Sequence, residues 1–327
     1  MNADDGQSVT RYLVLAGGLS HERDVSLRSG RRAADALRHE GVDAVVRDAD
    51  ASLLDHLSTT RYDAALVALH GGAGEDGALR EVLDLVGLPY VGSAPDACRA
   101  AWDKPTAKAI LRRAGLRTPD AVVLPHTAFR ELGAAAVLDR LVERLGLPLM
   151  VKPARGGSAL GCSAVDKAED LPAAMVQCFG YGEAALVEHF VEGTEVAVTV
   201  IQDGADDGSG PTALPAVEVR PLSGVYDYAA RYTAGQTEYF APARLTDAVS
   251  AEVARLAVDA HAALGLRDLS RVDAIVDADG AAHLLEVNVA PGMTETSLLP
   301  MAVEAAGRSF GALLRDLLAQ AAARRPA

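Results

Sequence analysis

Short apolar runs alternate with longer amphipathic stretches through the first third of the chain. Residues 12–16 (YLVLA) have a strand pattern, and residues 25–40 place apolar positions at helical spacing until Gly41 stops them. Further strands are expected at 44–47 and 64–69, and a helix at 77–86. This rhythm predicts a parallel sheet with crossover helices. The run Leu88-Pro89-Tyr90-Val91-Gly92-Ser93 interrupts it and marks a domain boundary. Beyond it come helical stretches at 97–114, a strand at 121–124, a long helix at 129–145 and a strand at 149–152. A Gly-rich loop, a short strand, a helix at 171–178 and a strand at 184–188 follow. The last third opens with strands at 195–202 and 214–220. Residues 221–243 are irregular and carry four tyrosines; a helix at 247–264, a hairpin and C-terminal helices complete the chain.

Composition narrows the class. The chain has 327 residues, half of them hydrophobic and 23% charged, enough for packed cores in about two domains. With 31 basic against 45 acidic residues the net charge is −14, which argues against a general nucleic-acid binder. Three cysteines without metal-ligand spacing argue against a disulfide scaffold or a zinc ribbon and suggest a reducing cytoplasm. The first residues lack the basic start and apolar core of a signal peptide, and no apolar run approaches 18 residues. Of the basic residues 27 are Arg and only 4 are Lys: Lys104, Lys108, Lys152 and Lys167. Against that bias, each lysine is a place to ask what a compact ammonium does that a guanidinium does not.

Four segments carry candidate chemistry. In the first, two apolar-rich runs flank Asp277-Ala278-Asp279-Gly280, and Asp-Gly is a strong two-residue hairpin signal. A turn at Asp279-Gly280 sets Asp273 opposite Glu286 and Arg271 opposite Asn288, all on one face. Opposed carboxylates repel, a divalent cation relieves the repulsion, and an all-oxygen set suits Mg²⁺. The alternative is a hairpin face with an Arg–carboxylate pair. In the second segment, a strand ends in Lys152 and runs into Arg155-Gly156-Gly157-Ser158-Ala159-Leu160-Gly161, a loop able to cradle phosphate with backbone amides. The third, His70-Gly71-Gly72-Ala73-Gly74-Glu75-Asp76-Gly77, has dinucleotide-like glycine spacing, but its two anions oppose a pyrophosphate. A polar substrate pocket with His70 partly buried fits better. The fourth, from Gly17 to Ser26, ends the first strand with a Gly-rich turn where Glu22 could grip an ammonium, the alternative being helix capping around Asp24.

Taken in order, with Ala101-Trp102-Asp103-Lys104, Glu188 through Glu195, Tyr226 through Tyr232 and Glu286-Val287-Asn288 through Ser297-Leu298, these segments resemble the D-alanine–D-alanine ligases of the ATP-grasp superfamily. The likeness covers nearly the whole chain. It implies an α/β ATP-grasp fold: an N-terminal open parallel-sheet domain (1–93), then a central lobe (94–188) and a C-terminal lobe (189–327) that clasp ATP. By resemblance, Lys104 and Lys152 hold ATP phosphates, Glu188 and Val191 read adenine, Glu195 holds ribose, and Gly157, Ser158 and Arg231 belong to the same ATP site. Asp273, Glu286 and Asn288 match the magnesium ligands. Glu22 matches the residue that receives the first D-alanine, in a network with Ser158 and Tyr232. Arg271 and the Gly292 amide match oxyanion stabilisers, and Ser297 and Leu298 the carboxylate site of the second D-alanine. Residues 221–243 match a lid.

The implied reaction is ATP-dependent ligation of two D-alanines through an acylphosphate, for peptidoglycan precursors. The implied cofactors are ATP and two Mg²⁺ ions, with Mn²⁺ and a monovalent cation as further candidates. A cytoplasmic homodimer free of nucleic acid and membrane is expected. Three positions depart from the family pattern: Ala159 replaces a second serine, Arg231 a lysine, and Val289 a threonine. Three alternatives stay open: a paralogue joining D-alanine to D-serine or another amino acid, a drug-tolerant ligase of a biosynthetic cluster, and a non-catalytic ATP-binding scaffold.

Overall fold

A computed structural model describes residues 10–202, 210–222, 226, 230, 231, 233 and 235–324. The N-terminal part is a parallel sheet ordered β2-β1-β3-β4, with β1 Arg11–Ala16, β2 Asp43–Asp48, β3 Ala64–Val67 and β4 Tyr90–Val91. Helices α1 (Arg23–His39), α2 (Leu53–Thr59) and α3 (Ala78–Leu85) connect these strands, as the alternating pattern requires. Two of these elements exceed the sequence reading. Helix α2 is one short stretch with a single buried residue, Leu53, so it leaves little amphipathic signal. Strand β4 lies inside the run read as a boundary and is held by pairing with β3.

The central lobe is an antiparallel sheet ordered β5-β8-β6-β7, built from Ala121–Pro125, Ala184–His189, Leu149–Pro153 and Ser163–Val165. Helices α6 (His126–Leu132), α7 (Ala134–Leu145) and α8 (Leu171–Phe179) accompany it. The single helix expected at 129–145 is thus two, separated by Gly133 at φ 85°, a conformation that an interior helical residue does not adopt.

The C-terminal lobe is a six-stranded antiparallel sheet. Its main path runs β12 (Thr237–Phe240), β11 (Val217–Pro221), β9 (Thr194–Ile201), β13 (Leu269–Val276) and β14 (Ala282–Asn288), with β10 (Thr212–Ala213) on β9. The strand expected from 214 begins only at Val217. Strand β12 occupies part of the segment read as irregular, because Thr237–Phe240 finds a partner in β11. Helices α9 (Asp247–Ala263) and α10 (Leu298–Ala305) pack on this sheet, while α11 (Phe310–Ala323) returns to α1, β3 and β4 of the N-terminal part, so the expected 189–327 lobe does not hold its last helix.

The apolar clusters show how the parts are joined. One cluster runs from Tyr12, Val14 and Leu37 through Ile201 and Leu269 to Leu299 and Leu317, so the N-terminal sheet and C-terminal lobe share a core. Helices α4 (Pro95–Trp102) and α5 (Lys104–Arg113) bury Cys98, Ala107 and Leu111 against Val198, Val272 and Leu284 of the C-terminal lobe. A separate cluster, including Leu149, Val151, Leu171 and Val187, fills the central lobe. The cleft where these bodies meet holds the candidate site.

Candidate active site

Glu22 sits at the N-cap of α1 without capping it. Its carboxylate accepts a bond from the Ser158 hydroxyl, joining the N-terminal domain to the central lobe's Gly-rich loop. Two glycines make room for it. A Cβ on Gly71, whose φ is 66°, would stand 2.4 Å from Glu22 Oε2, and one on Gly157 would stand 2.9 Å away. The loop itself is held in a tight turn, with Ser158 and Ala159 at φ 52° and 56°. Both conformations are sparsely populated for residues with a side chain.

The turn after β14 is fastened by α1. Met293 N–H donates to Ser29 Oγ (3.1 Å), and Arg32 donates to the Met293 and Thr294 carbonyls. His70 Nδ1 lies 3.0 Å from the Ala290 carbonyl, so this nitrogen carries the hydrogen. Its Nε2 then accepts from the Ser29 hydroxyl at 2.8 Å. With both nitrogens engaged, His70 fixes the turn rather than presenting a free nitrogen. Burial pushes its imidazole down to about 4 despite the Ala290 bond, so it is neutral at pH 7. The turn carries Gly292 and leads to Ser297, the N-cap of α10, and to Leu298 at its first helical position. Ser297 Oγ accepts from Thr294 N–H at 2.9 Å.

The β13–β14 hairpin supplies the floor. Asp273 faces Glu286 and Arg271 faces Asn288, as the spacing predicted. The expected turn is wrong, however: Asp277 N–H bonds the Ala281 carbonyl and Gly280 N–H the Asp277 carbonyl, giving a longer loop. That loop shifts the register, and a bulge beside Asp273 and Ala274 shifts it back. The extra residue is Leu285, which lines the larger cavity beside Glu286.

The predicted carboxylate repulsion is met within the chain. Arg271 grips Asp273 with two bonds of 2.7 Å, and Lys104 Nζ lies 3.3 Å from Glu286 Oε2. Burial pushes Glu286 up, but Lys104, Lys152, Arg231 and Arg271 outweigh it and hold the carboxyl far below the usual range. Arg271 is likewise held charged, Asp273 overcoming the effect of burial.

A cavity of 490 Å³ lies between the central and C-terminal sheets. Its walls include Lys104, Lys152, Gly157, Glu188, Val191, Glu195, Arg231, Asp273 and Glu286, nine of the residues assigned by resemblance. Burial raises Glu195 to about 7, with Asp273 and Glu286 adding to the effect. A second pocket of 90 Å³ adjoins it and shares Lys104, Gly156, Gly157, Tyr226, Arg231 and Glu286. This smaller pocket adds Glu22, His70, Ser158, Arg271, Asn288, Gly292, Ser297 and Leu298. Arg231 stacks 4.3 Å over the Tyr226 ring, at the boundary between the two. Tyr232 lies outside the described residues.

Two residues were named in the sequence reading without a role. Glu75 is buried beside Glu22 and accepts from Gly71 N–H at 2.9 Å. Burial and then Glu22 push it up to about 7. Lys108 is ion-paired to Glu188 beside the large cavity. Its scarcity as a lysine, and its place one helical turn after Lys104, were the available signals.

Two antiparallel sheets closing on a nucleotide-sized cavity lined by lysines and carboxylates define an ATP-grasp ligase. The family model for the D-ala D-ala ligase C-terminus matches residues 110–319. The D-alanine–D-alanine ligase of Bordetella petrii is 42% identical over 97% of this chain and 94% of its own. That of Anaeromyxobacter dehalogenans is 43% identical, over 95% and 97%. The crystal structure of the Bacillus anthracis D-alanine–D-alanine ligase superimposes with a TM-score of 0.80 at 30% identity, covering 96% of this chain and 97% of that one. Its ATP complex gives 0.77 at 28% identity, with the same coverage. The chain belongs to the D-alanine–D-alanine ligase family. It is an ATP-dependent enzyme that ligates D-alanine to D-alanine, which sets aside the scaffold reading, and no comparison favours the alternative acceptor.

Proposed function

We propose that the large cavity holds ATP, that the small pocket holds both D-alanines, and that the dipeptide serves peptidoglycan precursors. The observation that carries this is the junction itself. The Glu22–Ser158 pair, Arg271 and the N-terminus of α10 meet in a pocket that shares a wall with the nucleotide-sized cavity. Glu22 receives the ammonium of the first D-alanine, which directs its carboxylate toward the shared wall. Lys104 and Lys152 draw the ATP γ-phosphoryl to that wall. The carboxylate oxygen attacks phosphorus, ADP leaves, and an acylphosphate forms.

The second D-alanine binds by its carboxylate at Ser297 and Leu298, where the helix N-terminus favours an anion. Its amine attacks the acylphosphate carbon. Arg271 and the Gly292 amide stabilise the oxyanion, and phosphate departs with the oxygen that attacked ATP. Tyr226 and Arg231, which line both pockets, keep water from the acylphosphate.

Asp273, Glu286 and Asn288 fit Mg²⁺. Their donors are all oxygen, and the carboxylates retain lone pairs beyond those used by Arg271 and Lys104. Among the described residues no group of three or more His, Cys, Asp or Glu that could hold a metal occurs; the expected set is two carboxylates and an amide. Bound there, Mg²⁺ neutralises charge on the transferring phosphoryl. Among the described residues no helix is long and apolar enough to cross a membrane. A cytoplasmic homodimer belongs to the same reading.

Phosphate release from ATP across a panel of D- and L-amino acids tests it. Release should require D-alanine and match the dipeptide formed. Release with an L-amino acid alone, or none with D-alanine, would overturn it.

A further inference from the structure

Beside the nucleotide cavity lies a three-member ion cluster, Lys108, Glu188 and Lys152, in which Lys108 alone has no part in the reaction scheme. The Glu188 carboxylate is split between two ammonium groups. One oxygen meets Lys108 Nζ, and the other lies 2.5 Å from Lys152 Nζ. All three side chains are nearly solvent-free: Lys108 is 3%, Glu188 2% and Lys152 9% exposed. Lys108 also donates to Thr118 Oγ1, which fixes its end of the cluster. It projects from α5, one turn after Lys104. Lys152 and Glu188 line the cavity, whereas Lys108 stands behind them.

The charge balance of this cluster decides what the cavity presents to phosphate. A buried carboxylate paired with one lysine cancels it, because the low dielectric leaves no water to screen the pair. With Lys108 engaged, the carboxylate is shared and the cluster keeps a net positive charge next to the cavity. We infer that Lys108 is a positioning residue that occupies Glu188 from behind, so that Lys152 remains available to ATP phosphates. Lys108 touches no substrate and acts only through Glu188. The inference rests on the reading of the large cavity as the ATP site.

It predicts a particular pattern of affinities. Lys108→Met keeps the length of the side chain and removes its charge, leaving Glu188 to neutralise Lys152. The measured quantity is the ratio of ATP to adenosine affinity, from calorimetric titration and competition without D-alanine. Lys108→Met should lower this ratio about tenfold, equivalent to one decade in Kd, while adenosine affinity stays close to wild type. Adding Glu188→Gln retains an acceptor oxygen but removes the negative charge. The double variant Lys108→Met/Glu188→Gln should therefore regain most of the lost ATP affinity itself; a ratio restored only through weaker adenosine binding counts against the inference.

A residue that merely supports the fold gives a different result: both ligands weaken together in Lys108→Met, and the second substitution weakens them further. That outcome, or an unchanged ratio in Lys108→Met, overturns the inference. Lys152→Met is the control for the underlying reading. If it leaves the ratio unchanged, the cavity is not the phosphate site, and the failure belongs to that assignment. Should Lys108→Met prove too unstable to titrate, Lys108→Gln carries the same comparison.

Discussion

Replacing Gly71 with alanine separates the position of the Glu22 carboxylate from its charge. The new Cβ would stand 2.4 Å from Glu22 Oε2. The carboxylate must retreat by about 1 Å to reach ordinary contact, and displacements of that size at a reacting centre cost about 10²-fold in rate. Alanine also strains the backbone, because Gly71 has φ 66° and ψ 163°. A matched control exists in Gly146, with φ 72° and ψ 165° and nothing within 4 Å of its Cβ position. Both substitutions should therefore lose about 1–3 kcal/mol of stability to backbone strain. Only Gly71→Ala should lose activity, with kcat/KM for D-alanine falling about 100-fold while ATP affinity is retained. Urea midpoints and a coupled phosphate assay at saturating ATP measure the two effects. Wild-type kcat/KM in Gly71→Ala, or an equal loss in Gly146→Ala, would refute the geometric argument.

Lys152→Arg should not be conservative in a chain that uses arginine almost everywhere. A guanidinium cannot replace the ammonium packed against Glu188 Oε2, and ATP affinity or turnover should fall at least about tenfold, which steady-state kinetics would reveal. Glu286→Gln should abolish turnover and also destabilise the fold, since four cations lose their counter-charge. The folded carboxyl titrates below its ordinary value of 4.5, so its stabilisation is present above that pH and drains away as pH falls. Urea unfolding should show the deficit at pH 7 narrowing below 4.5. Burial pushes His261 down from 6.5 to about 4, so neutral His261 stabilises the fold above 6.5 and that contribution is lost toward 4. His261→Gln should therefore flatten the acid limb of the stability curve by about 3 kcal/mol, at about 1.4 kcal/mol per pKa unit. A limb as steep as wild type would show that this histidine is not the group responsible.

The sequence revealed the site more fully than the path of the chain around it. Alternation along 271–276 and 282–288 placed Asp273 opposite Glu286 correctly, although the assumed turn was wrong. Two local errors cancelled, since the longer loop shifts the register one way and the Leu285 bulge shifts it back. Bulges are set by packing against neighbouring strands, which a two-strand argument does not contain. Strands β4 and β12 were missed for a similar reason: two and four residues carry little periodicity, and pairing with β3 and β11 makes them strands. His70 was correctly expected at the pocket, but its partners Ser29 and Ala290 are distant in sequence, so its fastening role was not visible. Lys108 was singled out by composition alone, and its function depends on a carboxylate 80 residues away. The repulsion expected between Asp273 and Glu286 is answered by Arg271 and Lys104, and Lys104 lies outside the two strands from which the repulsion was argued.

The central claim is that the carboxylate of one D-alanine is activated by phosphorylation in the junction between the two pockets. Ligation with D-alanine labelled with ¹⁸O in its carboxylate tests that step directly. The attacking oxygen becomes the bridge of the acylphosphate and leaves with phosphate when the second amine attacks. Mass spectrometry of the released phosphate should show one ¹⁸O for each dipeptide formed. Dipeptide accompanied by unlabelled phosphate would contradict the account, because carboxylate activation would then not pass through an acylphosphate.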